Sequence, residues 1–288
     1  NEFRTVYTDA VQIVPAIRRI KNPDLSKIQF LTFTGSFTGF ISDFVTYGTI
    51  NTNLGAIRSD LNMKLPAGQD PVYSGSIATD NFRLGEFLGD KNLGLVSLTG
   101  TVKGKGFSEK SRNTLVDGSI RYAEYKNYRY NNITVKGRLD KKLFEGTSSI
   151  NDDNLKLDMS GIIDFNTKTP RFNLLADVNH ANLRNLHFTR DSIDFKGKLN
   201  FNFTSSTIDN FEGEARITDA EILKNGSPLP FDSLIVTSSF VDSVKTLSAV
   251  SNEFTASVKG DYRLAELPDA FTYFLSRYYP AYIKAPAK

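Results

Sequence analysis

Ile193-Asp-Phe195-Lys-Gly197-Lys-Leu199-Asn-Phe201-Asn-Phe203 is the stretch that decides the fold. Its odd positions hold Ile, Phe, Gly, Leu, Phe and Phe, and the even positions between them hold Asp, Lys and Asn. Side chains two apart in an extended chain share a side, so this is one strand with an apolar and a polar face. At about 3.3 Å per residue it runs roughly 35 Å, longer than most strands. A second stretch repeats the design, with Leu155, Leu157, Met159, Gly161, Ile163 and Phe165 on one side and Lys156, Asp158, Ser160 and Asp164 on the other. Ile162 alone breaks that polar side.

Outward from these two runs, a short unit recurs: apolar, any, Gly, any, apolar. It centres on Gly35, Gly75, Gly100, Gly118, Gly137, Gly161, Gly197 and Gly260, with looser copies at Gly146 and Gly213. The spacing is uneven, so this is an irregular array and not a strict solenoid. Glycine weakens a strand interior, and its return on the apolar side calls for sharp coiling or a close approach by a neighbour. Turn-forming clusters separate the runs, among them Asn151-Asp-Asp-Asn154, Asn166-Thr-Lys-Thr-Pro170 and Asn225-Gly-Ser-Pro228. Helical periodicity is absent between most runs, which predicts antiparallel connections.

Two stretches read as helix. Leu267, Ala270, Phe271, Phe274, Leu275 and Tyr278 fall on one helical face, with Pro268 at its start and Pro280 closing it. Asp9 to Arg19 gathers Val11, Val14 and Ile17, with Ile20 following, and is interrupted by Pro15. Two short helices cannot cover so much sheet. The predicted fold class is mainly β: a long antiparallel sheet curled into an open, taco-like groove with an apolar interior, plus one or two short amphipathic helices. The expected organisation is a short helical opening segment over 1–30, a continuous β-groove over 31–264, and a C-terminal amphipathic helix and tail over 265–288.

Composition narrows the function. The 288 residues are 40% hydrophobic and 23% charged, the range of a globular chain. A net charge of +3, evenly spread, argues against a nucleic-acid partner. The chain has no Cys, which excludes disulfides and thiolate-bound metal. Its longest apolar runs are only a few residues, too short for a spanning helix. His180 and His187 lack a carboxylate at ligand spacing and read as surface or structural residues. Asp60 and the Asp152-Asp153 pair read as turn residues without the spacing of a calcium loop. Gly104-Lys-Gly106 lacks a following helix to hold phosphate, and Arg18-Arg19 and Lys141-Lys142 read as solvated pairs. No cofactor, metal or catalytic group is expected, and the chain is not read as an enzyme. Tyr122, Tyr125, Tyr128 and Tyr130 among Arg and Lys could stack on sugars or bases. A hairpin with cross-strand tyrosine pairs is the plainer reading.

The Gly-centred strands, the unit Val116-Asp-Gly118-Ser-Ile120, the segment Tyr128-Arg-Tyr130 to Ile133-Thr-Val135-Lys-Gly137 and the run Leu155 to Phe165 resemble the TamB group of the AsmA-like superfamily, in the style of its Bacteroidetes members. The opening Val6-Tyr-Thr-Asp-Ala10 to Val14-Pro15 and the closing helix before Tyr279-Pro280 resemble pieces of the same proteins. The resemblance implies a periplasm-spanning bridge in the bacterial cell envelope, anchored in the inner membrane, of which this chain is an internal section. It implies a groove that shields acyl chains and conducts phospholipid between inner and outer membranes. The groove lining would be Phe33, Phe37, Ile77, Leu98, Val102, Val116, Ile120, Val135, Leu139, Leu155, Leu157, Met159, Ile163, Phe165, Ile193, Phe195, Leu199, Phe201, Phe203 and Val258. Each buried methylene would contribute about 0.8 kcal/mol, with little selectivity among chains, since apolar contact is non-directional. Two other functions fit the pattern. One is an assembly factor for outer-membrane β-barrel proteins, acting with a partner barrel. The other is a closed β-sandwich serving as a glycan-binding or adhesin module, because half-buried strands alternate in any sandwich.

Overall fold

The computed structural model describes residues 2–13, 24–40, 42–205, 207–241, 244–263 and 266–286. Among the described residues seventeen strands form one sheet. They are β1 (Glu2–Thr5), β2 (Leu31–Phe40), β3 (Asp43–Thr52), β4 (Gly55–Lys64), β5 (Val72–Arg83), β6 (Leu93–Lys105), β7 (Asn113–Tyr125), β8 (Tyr128–Asp140), β9 (Leu143–Asn151), β10 (Leu155–Asp164), β11 (Arg171–Asn182), β12 (Ile193–Thr204), β13 (Glu212–Lys224), β14 (Ser227–Pro228), β15 (Leu234–Val241), β16 (Val244–Ser251) and β17 (Thr255–Lys259). Every register is antiparallel and joins strands that are neighbours in the chain, save that β13 also pairs β15 past the two-residue β14. The sheet is open. Among the described residues β1 pairs only with β2, and β17 only with β16.

Among the described residues three short α-helices accompany it: α1 (Tyr7–Ile13), α2 (Leu84–Leu88) and α3 (Leu267–Tyr278). The last has the predicted bounds, with Pro in its first turn. Of the predicted N-terminal helix only the part ending at Ile13 falls in the described residues; Val14, Pro15, Ile17, Arg18, Arg19 and Ile20 lie outside them. Asp60 is corrected from turn to strand: it lies within β4, opposite Tyr47 and Ser76.

Tight hairpins set the registers. Lys126 and Asn127 both have positive φ (47° and 63°) between β7 and β8, as do Asn225 and Gly226 (52° and 79°) after β13. Two successive left-handed residues turn the chain with the twist of the flanking strands.

The glycines meet one another across strands. Gly35 faces Gly48, Gly100 faces Gly118, and Gly137, Gly146 and Gly161 stand in one row. A Cβ on Gly35 would come within 2.2 Å of the Tyr47 carbonyl oxygen and 3.0 Å of the Phe33 ring. At Gly146 the Lys136 carbonyl and the Phe144 ring would be met at 2.3 and 2.9 Å. Neighbouring backbone and a ring two residues upstream therefore occupy the place of a side chain. At Gly35 and Gly146 the Phe33 and Phe144 rings cover the glycine, whereas Gly100, Gly118 and Gly161 meet backbone alone.

Candidate functional site

Cross-strand partners share a face, so the registers settle which side chains lie together. One row runs Phe33, Ile50, Ile57, Thr79, Leu98, Ile120, Ile133, Ile150, Leu157 and Val178 through ten strands. The next begins at Gly35 and passes through Ile77, Val135, Met159 and Leu199. The third takes in Phe37, Val102, Val116 and Phe201, and the fourth Leu139, Ile163, Phe203 and Val258. With Leu155, Ile193 and Phe195 at their strands' ends, and Phe165 just past β10, all twenty predicted lining residues fall on one side of the sheet.

None of the twenty is fully buried, yet they are not equally bare. The two ends of the strands define two lips of this face. At the first lip, α2 and the loop 183–192 fold over the sheet. Leu186 of that loop is 2% exposed and packs with Tyr130, Ile133, Val178 and Ala181. Ile120, Val135, Leu155, Leu157, Phe195 and Leu199 complete this core. Beside it Leu54, Phe82 and Val96 form a second core with Leu84 and Phe87 from the α2 segment, and Leu98 joins them. These lining positions are partly consumed by packing. At the second lip the coverage is thin: Phe37 is 49% exposed, Phe40 80% and Phe165 50%. Phe165, Phe172, Phe203 and Phe211 form an aromatic run there, with successive ring centres 5.9, 5.0 and 5.0 Å apart.

The closed lip is locked by polar groups. Asp152 is buried between β9 and β10 and accepts hydrogen bonds from the Tyr128 hydroxyl, the Asn131 backbone and side-chain nitrogens, and the Asn154 backbone. Burial works to raise its pKa, but these donors outweigh it and hold the carboxyl below its ordinary value. Burial first, then the bond to Asp152, pushes the Tyr128 hydroxyl up to about 12. Asp152 is thus a structural lock. The tyrosine stretch forms the β7–β8 hairpin, with Tyr125 opposite Tyr128. Tyr130 is in the core, and Tyr122 lies under the Arg129 guanidinium at 4.1 Å. His187 places Nδ1 3.2 Å from the Lys126 carbonyl oxygen.

On the polar side, three hollows of about 1010, 850 and 660 Å³ lie over the sheet. The first stretches from Val45 in β3 to Glu145 in β9 and includes Asp60, Ser76, Thr101, Asp117 and Lys136. The sequence placed the groove on the apolar side; these hollows lie on the other. Their charges remain in water: the Lys136–Asp117 pair, at 3.4 Å, keeps 76% and 61% of its side chains exposed. Such a pair contributes at most about 1 kcal/mol.

No family model, curated protein or solved structure matches this chain. Among the described residues no group of His, Cys, Asp and Glu is placed to hold a metal, and no helix is long and apolar enough to cross a membrane. The sequence reading missed Lys245. It faces Phe240 on the apolar side, is 5% exposed, donates to the Asp209 carbonyl, and sits 4.4 Å from the Tyr262 ring centre. Its signal was a lysine two residues before Leu247 in an alternating strand.

Proposed function

We propose that this chain is a section of a lipid conduit, shielding acyl chains on the apolar face of its sheet. The observation that supports it is the continuity of that face. Four parallel rows cross the sheet, the first almost wholly aliphatic and the inner two mixing apolar side chains with Gly, Ser and Thr, and they leave the second lip half-exposed. Monomeric soluble proteins rarely leave such a band of apolar surface uncovered. Flexible hydrocarbon suits a long, featureless face, because apolar attraction needs no directional partner. Where glycines face one another, as at Gly35–Gly48 and Gly100–Gly118, no side chain stands between the strands, which leaves room on the face for such chains. The resemblance to the TamB group points the same way, to phospholipid moving between the two membranes of a bacterial envelope. Service as an assembly factor for outer-membrane barrels remains the second role that such proteins carry.

Phe201 and Asn202 provide the test, because adjacent residues of β12 lie on opposite faces. A photoreactive phenylalanine analogue is placed at each position in turn, in cells making the chain. Phospholipid adducts at 201 and none at 202 are expected. Adducts at 201 that are only intramolecular would overturn the proposal, and adducts to unfolded polypeptide would favour the assembly role.

A further inference from the structure

Between β6 and β11 the second lip carries positive charge as well as exposed rings; its other turns, with Asp43, Lys64, Asp70, Asp209 and Glu212, do not. Three of its turns connect β6 to β7, β8 to β9 and β10 to β11. Lys105, Lys110 and Arg112 belong to the first, Lys141 and Lys142 to the second, and Lys168 and Arg171 to the third. Against these seven stand three acids, Glu109, Asp140 and Asp164, a local excess of four where the whole chain has +3. The turns joining β5 through β12 at the closed lip hold five basic residues and five acidic ones, and so balance.

The three basic turns form one continuous rim. The Arg112 guanidinium donates to the Lys141 carbonyl at 2.7 Å, and the Lys141 amide donates to the Arg112 carbonyl at 2.7 Å. The Phe165 amide donates to the Lys142 carbonyl at 3.1 Å, and Lys142 pairs with Glu109 across the turns at 2.8 Å. Lys110, Lys141 and Lys168 are exposed and have no ion pair among the described residues. Directly beneath this rim lie Leu139, Ile163 and Phe172 of the apolar face, with Phe165 half-exposed at its border.

An apolar floor that meets a basic rim is complementary to a molecule with a hydrocarbon tail and an anionic head. We infer that this lip is where an amphiphile with a net negative head group is held, its head on the basic turns and its chains on the face beside Phe165. The inference rests on the acyl-chain reading above and adds to it a selectivity that apolar contact alone does not give. Attraction of this kind adds up lysine by lysine and weakens with salt.

The experiment incubates the chain with vesicles of equal parts phosphatidylglycerol and phosphatidylcholine, separates it from them by flotation at low ionic strength, and quantifies the lipid that stays bound. The bound lipid is expected to be enriched in phosphatidylglycerol by about tenfold. The triple variant Lys110→Gln, Lys141→Gln, Lys168→Gln should retain the same total lipid and lose the enrichment. A matched variant of the closed lip, Lys91→Gln, Lys126→Gln, Arg184→Gln, should keep it, which controls for net charge and folding. Lipid bound without enrichment, or enrichment that survives the first variant, overturns the inference and leaves the acyl-chain reading standing. No lipid bound by any form overturns both.

Discussion

The two lips of the same sheet carry opposite solutions to one problem. Both must end strands whose inner side chains are apolar. The first lip covers them with protein: α2 and the 183–192 loop fold over and bury Leu54 and Leu186 to 2% exposure. The second is spanned by connections shorter than those two, 65–71, 106–112 and 165–170 among them, and leaves Phe37, Phe40 and Phe165 about half or more exposed. The strands are alike at both ends, so coverage is decided by loop length and not by the alternation. Stability is thereby concentrated at one edge and availability at the other.

Breaking the covered lip gives the largest expected effect. Leu186→Ala removes a fully packed side chain and is expected to lower stability by about 3 kcal/mol, read from the urea midpoint. A loss under about 1 kcal/mol would mean that the loop does not form a core. Asp152→Asn comes next. It swaps a charged acceptor for an amide whose nitrogen cannot accept, and a loss of about 2 kcal/mol is expected.

The same lock has a pH signature. Asp152 is held below its ordinary pKa, so its contribution is complete above the ordinary value and disappears as pH falls through the lowered one. Tyr128 is raised from 10.0 to about 12, so its contribution is full below pH 10.0 and is lost as pH climbs towards about 12. Thermal melts of the native chain and of Tyr128→Phe should converge at the alkaline end; a constant gap would refute the linkage. The smallest effect belongs to the open lip. Phe165→Ser should lower stability by only about 1 kcal/mol, since half its surface is already wet, while lowering the yield of bound lipid.

Much of this was legible in the sequence because a period of two is a strong signal. It identified β10 and β12 and put all twenty predicted lining residues on one side. What it could not convey was which of them would be covered. Leu186 lies in a stretch with no period, and Leu84–Leu88 is too short to announce a helix. Irregularities also hid the local order at the closed lip. Asn132, with φ of 52°, interrupts the alternation of β8 without shifting its register on β7, and Tyr130 joins Ile133 in the core. Lys245 was not legible because a lysine in an alternating strand ordinarily faces water, and its burial depends on the Asp209 carbonyl and the Tyr262 ring far along the chain.

The chain's plain back-and-forth order has a consequence for how such a sheet varies in length. Apart from the β13–β15 pairing past β14, each strand pairs only with its predecessor and successor, so a hairpin can be added or lost without rethreading the remainder. Removing a single strand would send every later loop to the wrong lip, placing covering loops where rings should be open. Removing two restores the arrangement. Lengthening by parity, always in pairs, is therefore the natural increment of growth for this architecture.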